Sequence, residues 1–297
     1  MNRYYIYILI AASLWGSIGI IVKLFYAAGF SPLQLVCFRT IIGSALIFLY
    51  LLVRDREKFK IRLKDLWLFF GTGILSFVFF NVNYFIAVEK TGLSVASVLL
   101  YTAPAFVFLL SVLIFKEVIT RRKMGALALA LLGCVLVSGV LQSSDVPLNG
   151  AGILSGILAG FGYGLYSIFA KLALTKYDTL TVTLYTFIFA SLGAIPFARI
   201  EQVPGLITSG GLAVNIILFA VVITILPFTL YTKGLSRVEP SRASILATIE
   251  PVVATIFGVI LFNEQLTMMK TIGIAAVIGA AILINVTPKS LAGGTNE

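Results

Sequence analysis

The 297-residue chain is 60% hydrophobic and 11% charged, with a mean hydropathy of +1.06. Soluble domains are about a quarter charged, so this composition excludes an ordinary water-exposed fold. The absence of histidine excludes histidine-ligated metals and histidine acid–base chemistry. The net charge of +10 resides in short loops between apolar runs, which argues for membrane topology rather than a nucleic-acid partner.

Crossing a bilayer takes about 20 apolar residues. Runs of that kind predict ten helices, near 5–27, 32–53, 65–88, 92–115, 122–141, 150–175, 179–199, 210–233, 240–262 and 268–286. The first looks superficially like a secretory leader. Its apolar run continues to Phe25 and further spans follow, so it reads as a retained helix. It carries Trp15, a large ring with a polar edge.

The second helix holds Arg39, about 10 Å deep at 1.5 Å per residue. It either pairs with an acid or snorkels to the outer headgroups. The third carries Asn81, Asn83 and Tyr84; the asparagines either bind a solute or bond an adjacent helix. The fourth contains Tyr101 and Pro104 and ends at Glu117, whose charge is expected at the interface. Cys37 and Cys134 stand alone in apolar runs and read as small buried hydrophobes.

The segment QSSDVPLN (142–149) reads as a linker between two halves. In the sixth helix Gly152, Gly156, Gly160 and Gly164 repeat every four residues, a face for close helix packing. The same helix carries Tyr163, Tyr166 and Lys171; the lysine, like Lys23 of the first helix, can snorkel. The eighth holds Pro227 and Tyr231.

The ninth holds Glu250, about eleven residues from its start and hence near the bilayer centre. A carboxyl there is costly and faces a cavity or a partner. It either binds substrate or a proton, or is a neutral, hydrogen-bonded tie between helices. Pro251 follows it directly and, like Pro104 and Pro227, is a candidate hinge.

Alternate loops divide 22 basic residues into 17 on the N-terminal side and five on the other: Lys23, Arg39, Lys90, Arg199 and Lys270. Both termini are therefore expected in the cytoplasm. Residues 84–117 also align without gaps on 231–264, at a fixed offset of 147. Tyr84 then meets Tyr231, Pro104 meets Pro251 and Glu117 meets Glu264. Trp15-Gly16 likewise aligns with Tyr163-Gly164. An odd number of helices per half would invert the second copy, an arrangement found in transporters with a midplane site.

The run SLWGSIGIIVK (13–23), Arg39, Tyr84 and the paired segments 102–117 and 248–264 resemble the EamA-type family of the drug/metabolite transporter superfamily. The resemblance spans essentially the whole chain. It implies an all-α integral membrane protein of ten helices in two inverted five-helix repeats, 1–141 and 150–288. It also implies a carrier of small metabolites such as amino acids, aromatic compounds or amines, working by alternating access in the cytoplasmic membrane.

No nucleophile elbow, phosphate-binding glycine loop or paired carboxylates are present, so neither an enzyme nor a cofactor is expected. Without an ATP motif, transport is passive or ion-coupled, and the one central carboxylate favours a proton. The expected substrate-binding residues are Trp15, Arg39, Asn81, Tyr84, Tyr101, Tyr163, Tyr166 and Glu250. Taken singly, each aromatic one reads more readily as core packing or an interface belt. A channel or lipid-handling membrane protein is the alternative reading. Monomer and homodimer both stay open.

Overall fold

The computed structural model describes residues 3–142, 149–202 and 210–285, and they are helical with no strand among them. Residues 143–148 of the expected linker and the C-terminal end of the expected second half lie outside the described residues. Helices α1 (Arg3–Gly16) and α2 (Ile18–Ala27) form the first apolar stretch, interrupted at Ser17. Helix α3 (Pro32–Arg54) follows, opened by a capping box between Ser31 and Gln34.

Next come α4 (Leu66–Phe70), a π-helical segment Gly71–Val78, and α5 (Phe79–Leu100). Gly92 breaks α5 at φ 79°, a conformation open to glycine because it lacks a Cβ. The chain on either side of Gly92 forms two arms, joined by a 3.3 Å hydrogen bond between the Tyr84 and Ser97 hydroxyls. Then follow α6 (Ala103–Phe115), α7 (Arg121–Val137), α8 (Gly150–Ala173), α9 (Thr179–Ala194) and α10 (Gly210–Leu218). A second π-helical segment, Phe219–Ile225, leads into α11 (Leu226–Leu235), α12 (Pro240–Ala247), α13 (Ile249–Phe262) and α14 (Met268–Asn285).

Eight helical stretches among the described residues are long and apolar enough to cross a membrane, and Ala103–Phe115 is a shorter apolar helix. The proline positions need a correction. The chain breaks at Tyr101–Thr102 and at Thr248, two to three residues before Pro104 and Pro251. A proline lacks an N–H and its ring crowds the carbonyl four residues back, so the helix fails upstream of the ring. Pro227 stands just after the second π-helical segment for the same reason.

The glycine row of α8 does pack. A Cβ on Gly160 would lie 2.7 Å from the Leu99 carbonyl oxygen, and one on Gly152 would lie 2.7 Å from Lys90 Cβ. The row therefore seats α8 against both arms of the Gly92 turn.

The loops sort onto two faces. On one, the basic loop after α3 is tied to the α8–α9 turn: Lys58 pairs with Asp178 at 2.8 Å, and Tyr185 donates to the Phe59 carbonyl. Lys171, expected to snorkel, instead caps α11 by donating to the carbonyls of Leu235 and Val238. On the other face Gln142 bonds Thr267 at 2.8 Å and Lys23 stands 3.2 Å from the centroid of the Phe262 ring.

Features recur at sequence offsets of 147 and 148. Lys116 and Asn263 are both left-handed C-caps, at φ 56° and 52°. The next N–H returns to the matching carbonyl each time, Glu117 to Ser111 and Glu264 to Gly258. The π-helical segments Gly71–Val78 and Phe219–Ile225 also correspond. Gly16 abuts the Glu250 carbonyl and Gly164 the Ala103 carbonyl, again matched positions.

Candidate functional site

Broken and distorted helices surround one chamber. Trp15 of α1, Phe77 of the first π-helical segment and Phe80 of α5 line it with Tyr163, Tyr166, Phe228 and Tyr231 of α8 and α11; Ser76 and Ser167 complete its wall. The rings brace one another. Trp15 lies 5.1 Å from Phe228 and 5.4 Å from Tyr231, centroid to centroid. Phe77 and Tyr166 each meet Phe228 as well, at 5.2 and 5.1 Å. Such edge-on and tilted contacts hold ring faces at set angles, each contributing about 1 kcal/mol.

The polar groups of the chamber separate into satisfied and available ones. The hydroxyls of Tyr166 and Thr232 bond at 2.6 Å, and those of Ser167 and Tyr231 at 2.8 Å. These two pairs close the wall between α8 and α11. Tyr163 differs, because its hydroxyl donates to Glu250 Oε2 at 3.0 Å.

Glu250 occupies the first turn of α13, just past the break at Thr248. The positive end of that half-helix favours a carboxylate there. The side chain is partly accessible although it sits in the interior of the fold. Tyr84, Tyr101 and Tyr163 share that partial access. Among the described residues no cation pairs with Glu250.

Arg39 does not reach it. Its guanidinium carbon stands 4.9 Å from the centroid of the Phe77 ring, its Nε has no hydrogen-bond partner among the described residues, and the residue is 7% exposed. It therefore neither pairs with an acid nor snorkels to water. Opposite charges flank the chamber, Glu250 through Tyr163 and Arg39 behind Phe77.

Asn81 and Asn83 bond their own helix, donating to the carbonyls of Phe77 and Phe79 at 2.7 and 2.8 Å, rather than a neighbouring one. Tyr101 packs beside Cys134 and Val252. Glu117, expected at the interface, is instead buried against Lys123. Both cysteines are free and buried.

Sequence reasoning missed Phe77, Phe80, Phe228, Ser76 and Ser167. Their spacing carried the signal. Ser76, Phe77, Phe80 and Tyr84 fall on one helical face, as do Tyr163, Tyr166 and Ser167. In a chain this apolar, phenylalanine is too common for the pattern to stand out.

The model of the EamA-like transporter family matches residues 2–139 and again 150–286. The chain belongs to that family. This EamA-like transporter is 26% identical over 290 residues to the uncharacterized transporter YwfM of Bacillus subtilis, covering 97% of this chain and 95% of YwfM. An uncharacterized transporter of Archaeoglobus fulgidus is 33% identical over 214 residues, 71% of this chain and 74% of that one. Protein PecM of Dickeya dadantii is 26% identical over 227 residues, 74% of this chain and 73% of PecM.

One solved crystal structure superposes with a TM-score of 0.81 at 18% identity, covering 96% of this chain and 97% of its own. At that identity the likeness speaks for the fold alone. The EamA-like chain is thus an all-helical, multi-pass membrane protein of a transporter family.

Proposed function

We propose that this protein carries small organic solutes with a cationic or aromatic part, such as amines, aromatic compounds or aromatic amino acids, out across the cytoplasmic membrane. The observation that carries the reading is Glu250: a partly accessible carboxyl beside a ring-lined chamber, held by Tyr163 and lacking a cation. A carboxylate in apolar surroundings favours a positive group, and ring faces add cation–π attraction. One carboxyl can hold a proton or a substrate ammonium but not both. That exclusivity would couple solute export to proton entry.

The chain forms ten crossings in two inverted halves, 1–141 and 150–288. The recurrence of caps, π-helical segments and close contacts at offsets of 147 and 148 supports this. So does the half-helix opening at Glu250, the type of interruption at which repeat transporters bind solutes. The halves rock about the breaks beside Pro104, Pro227 and Pro251. The excess of lysine and arginine on the face of the basic loop supports cytoplasmic termini.

Ligand-induced thermal stabilisation of the purified protein tests the proposal, with amines, aromatic metabolites, amino acids and sugars repeated on Glu250→Gln. A saturable shift for amines or aromatics that weakens at least tenfold in the variant is expected. A shift unaffected by the substitution removes Glu250 from the site. No shift for any amine or aromatic overturns the substrate class.

A further inference from the structure

A cluster of charges lies outside the site described above. Glu117 follows the left-handed cap at Lys116, and its side chain is 5% exposed. It pairs with Lys123 at 2.9 Å, a lysine side chain itself 4% exposed. The carboxylate also crosses to α12, accepting from the Ser241 N–H at 3.5 Å and from the Ser241 hydroxyl. It therefore sits at the N-terminus of a half-helix, where the free N–H groups favour an anion. Glu239 closes the cluster, 3.0 Å from Lys123 and 2.7 Å from Arg242. In this way the end of α6 is tied to the start of α12.

The matched residues at offset 147 are Glu264 for Glu117, Lys270 for Lys123 and Ser94 for Ser241, counted in the reverse direction. Their backbone is alike and their contacts are not. The Glu264 carboxylate is 49% exposed and reaches Lys270 at 3.2 Å. It lies back over its own helix, such that a Cβ on Gly258 would be 2.8 Å from Oε2. Ser94, two residues past the Gly92 turn, is partly exposed and takes no part. The ion pair forms on both faces, but the bond from the glutamate to a serine of the other half forms on one.

We propose that Glu117, Lys123 and Ser241 form a lock that closes the cytoplasmic side, and that Glu264, Lys270 and Ser94 form its counterpart, engaged only when the opposite side closes. This rests on the inverted-repeat reading and on no particular substrate. The two locks are mutually exclusive because each needs α6 or α13 drawn against the other half. Weakening one therefore shifts the population toward the other.

Cysteine pairs read the two states directly in native membranes, on a background of Cys37→Ala and Cys134→Ala. Val118→Cys with Arg242→Cys reports the closed cytoplasmic lock and Leu93→Cys with Gln265→Cys its counterpart, both pairs standing beside the lock residues and leaving their side chains in place. A short bifunctional thiol reagent should link the first pair in most molecules and the second in a minority. Adding Glu117→Gln, which leaves Lys123 with Glu239 as its carboxylate partner, should raise linkage of the second pair several-fold.

Linkage of the first pair without any of the second, or a second-pair yield that ignores Glu117→Gln, overturns the proposal. Size-exclusion profiles identify variants that do not fold. Should Glu117→Gln be among them, Ser241→Ala weakens the lock without stranding a charge. No solute is needed, so a failed substrate screen leaves this outcome intact.

Discussion

The Tyr163 hydroxyl donates to Glu250 Oε2 across 3.0 Å, joining α8 to the half-helix that begins beside Thr248. The Tyr163 ring also meets Phe80 edge-on at 5.2 Å. One residue thus holds both the carboxyl and the aromatic wall.

Tyr163→Phe keeps the ring and removes the donor. A hydrogen bond to a charged group contributes about 1.5–3 kcal/mol. The ligand-free thermal midpoint should fall, and fall less than in Tyr163→Ala, which also removes the ring packing. Equal midpoints for the wild type and Tyr163→Phe would show that the bond contributes nothing to the fold.

Arg39 carries a charge with no acidic partner among the described residues, its guanidinium set over the face of Phe77 and its Nε without a hydrogen bond. An isolated buried charge is costly, and even a buried ion pair is often replaced by hydrophobic residues of similar volume with a neutral effect or a gain of about 1–4 kcal/mol. Arg39→Met should therefore keep or raise the thermal midpoint while lowering uptake or efflux rates. A sharp fall in the midpoint would mean that the guanidinium holds the fold.

Gly160 meets the Leu99 carbonyl, with no room for a methyl group. Gly160→Ala should push α8 off the Gly92 turn and cost about 1–3 kcal/mol, as overpacking does elsewhere. Gly150, where a Cβ would meet nothing within 4 Å, is the control. Gly150→Ala should leave the midpoint within a degree or two of wild type.

Asp178 lies outside the spanning helices and has two roles. Its Oδ1 caps α9 by accepting from the Thr181 N–H at 3.0 Å, and its Oδ2 pairs with Lys58. Partial burial pushes its carboxyl up, but Lys58 and the Thr181 N–H outweigh that and hold it below its ordinary value. A depressed carboxylate stabilises the fold above its unfolded-state value and ceases to as pH falls through its folded one. Asp178→Asn keeps the cap oxygen and loses the pair, costing less than about 1 kcal/mol near neutral pH for a half-exposed pair. Asp178→Ala should cost about 1 kcal/mol more by losing the cap. The difference between the wild type and Asp178→Asn should vanish in acid; thermal melts at pH 7 and below pH 3 measure it.

Composition and residue order sufficed for the membrane class, the apolar stretches, the doubling at offset 147 and the unusual position of Glu250. They did so because an apolar run of spanning length has few folds open to it in a bilayer. The glycine row of α8 was legible for a similar reason, since a bare helix face serves close packing.

What the linear pattern could not settle was who meets whom. Arg39 and Glu250 are both costly in a bilayer, and pairing looked open, yet the packing of α3 sends Arg39 to Phe77 while α8 brings Tyr163 to Glu250. Glu117 and Glu264 occupy matched positions with matched caps, and only the tertiary arrangement buries one and exposes the other. Sequence symmetry is a property of the covalent chain. The asymmetry belongs to the tertiary arrangement, which ties the Glu117 end to α12 and lays Glu264 back over its own helix.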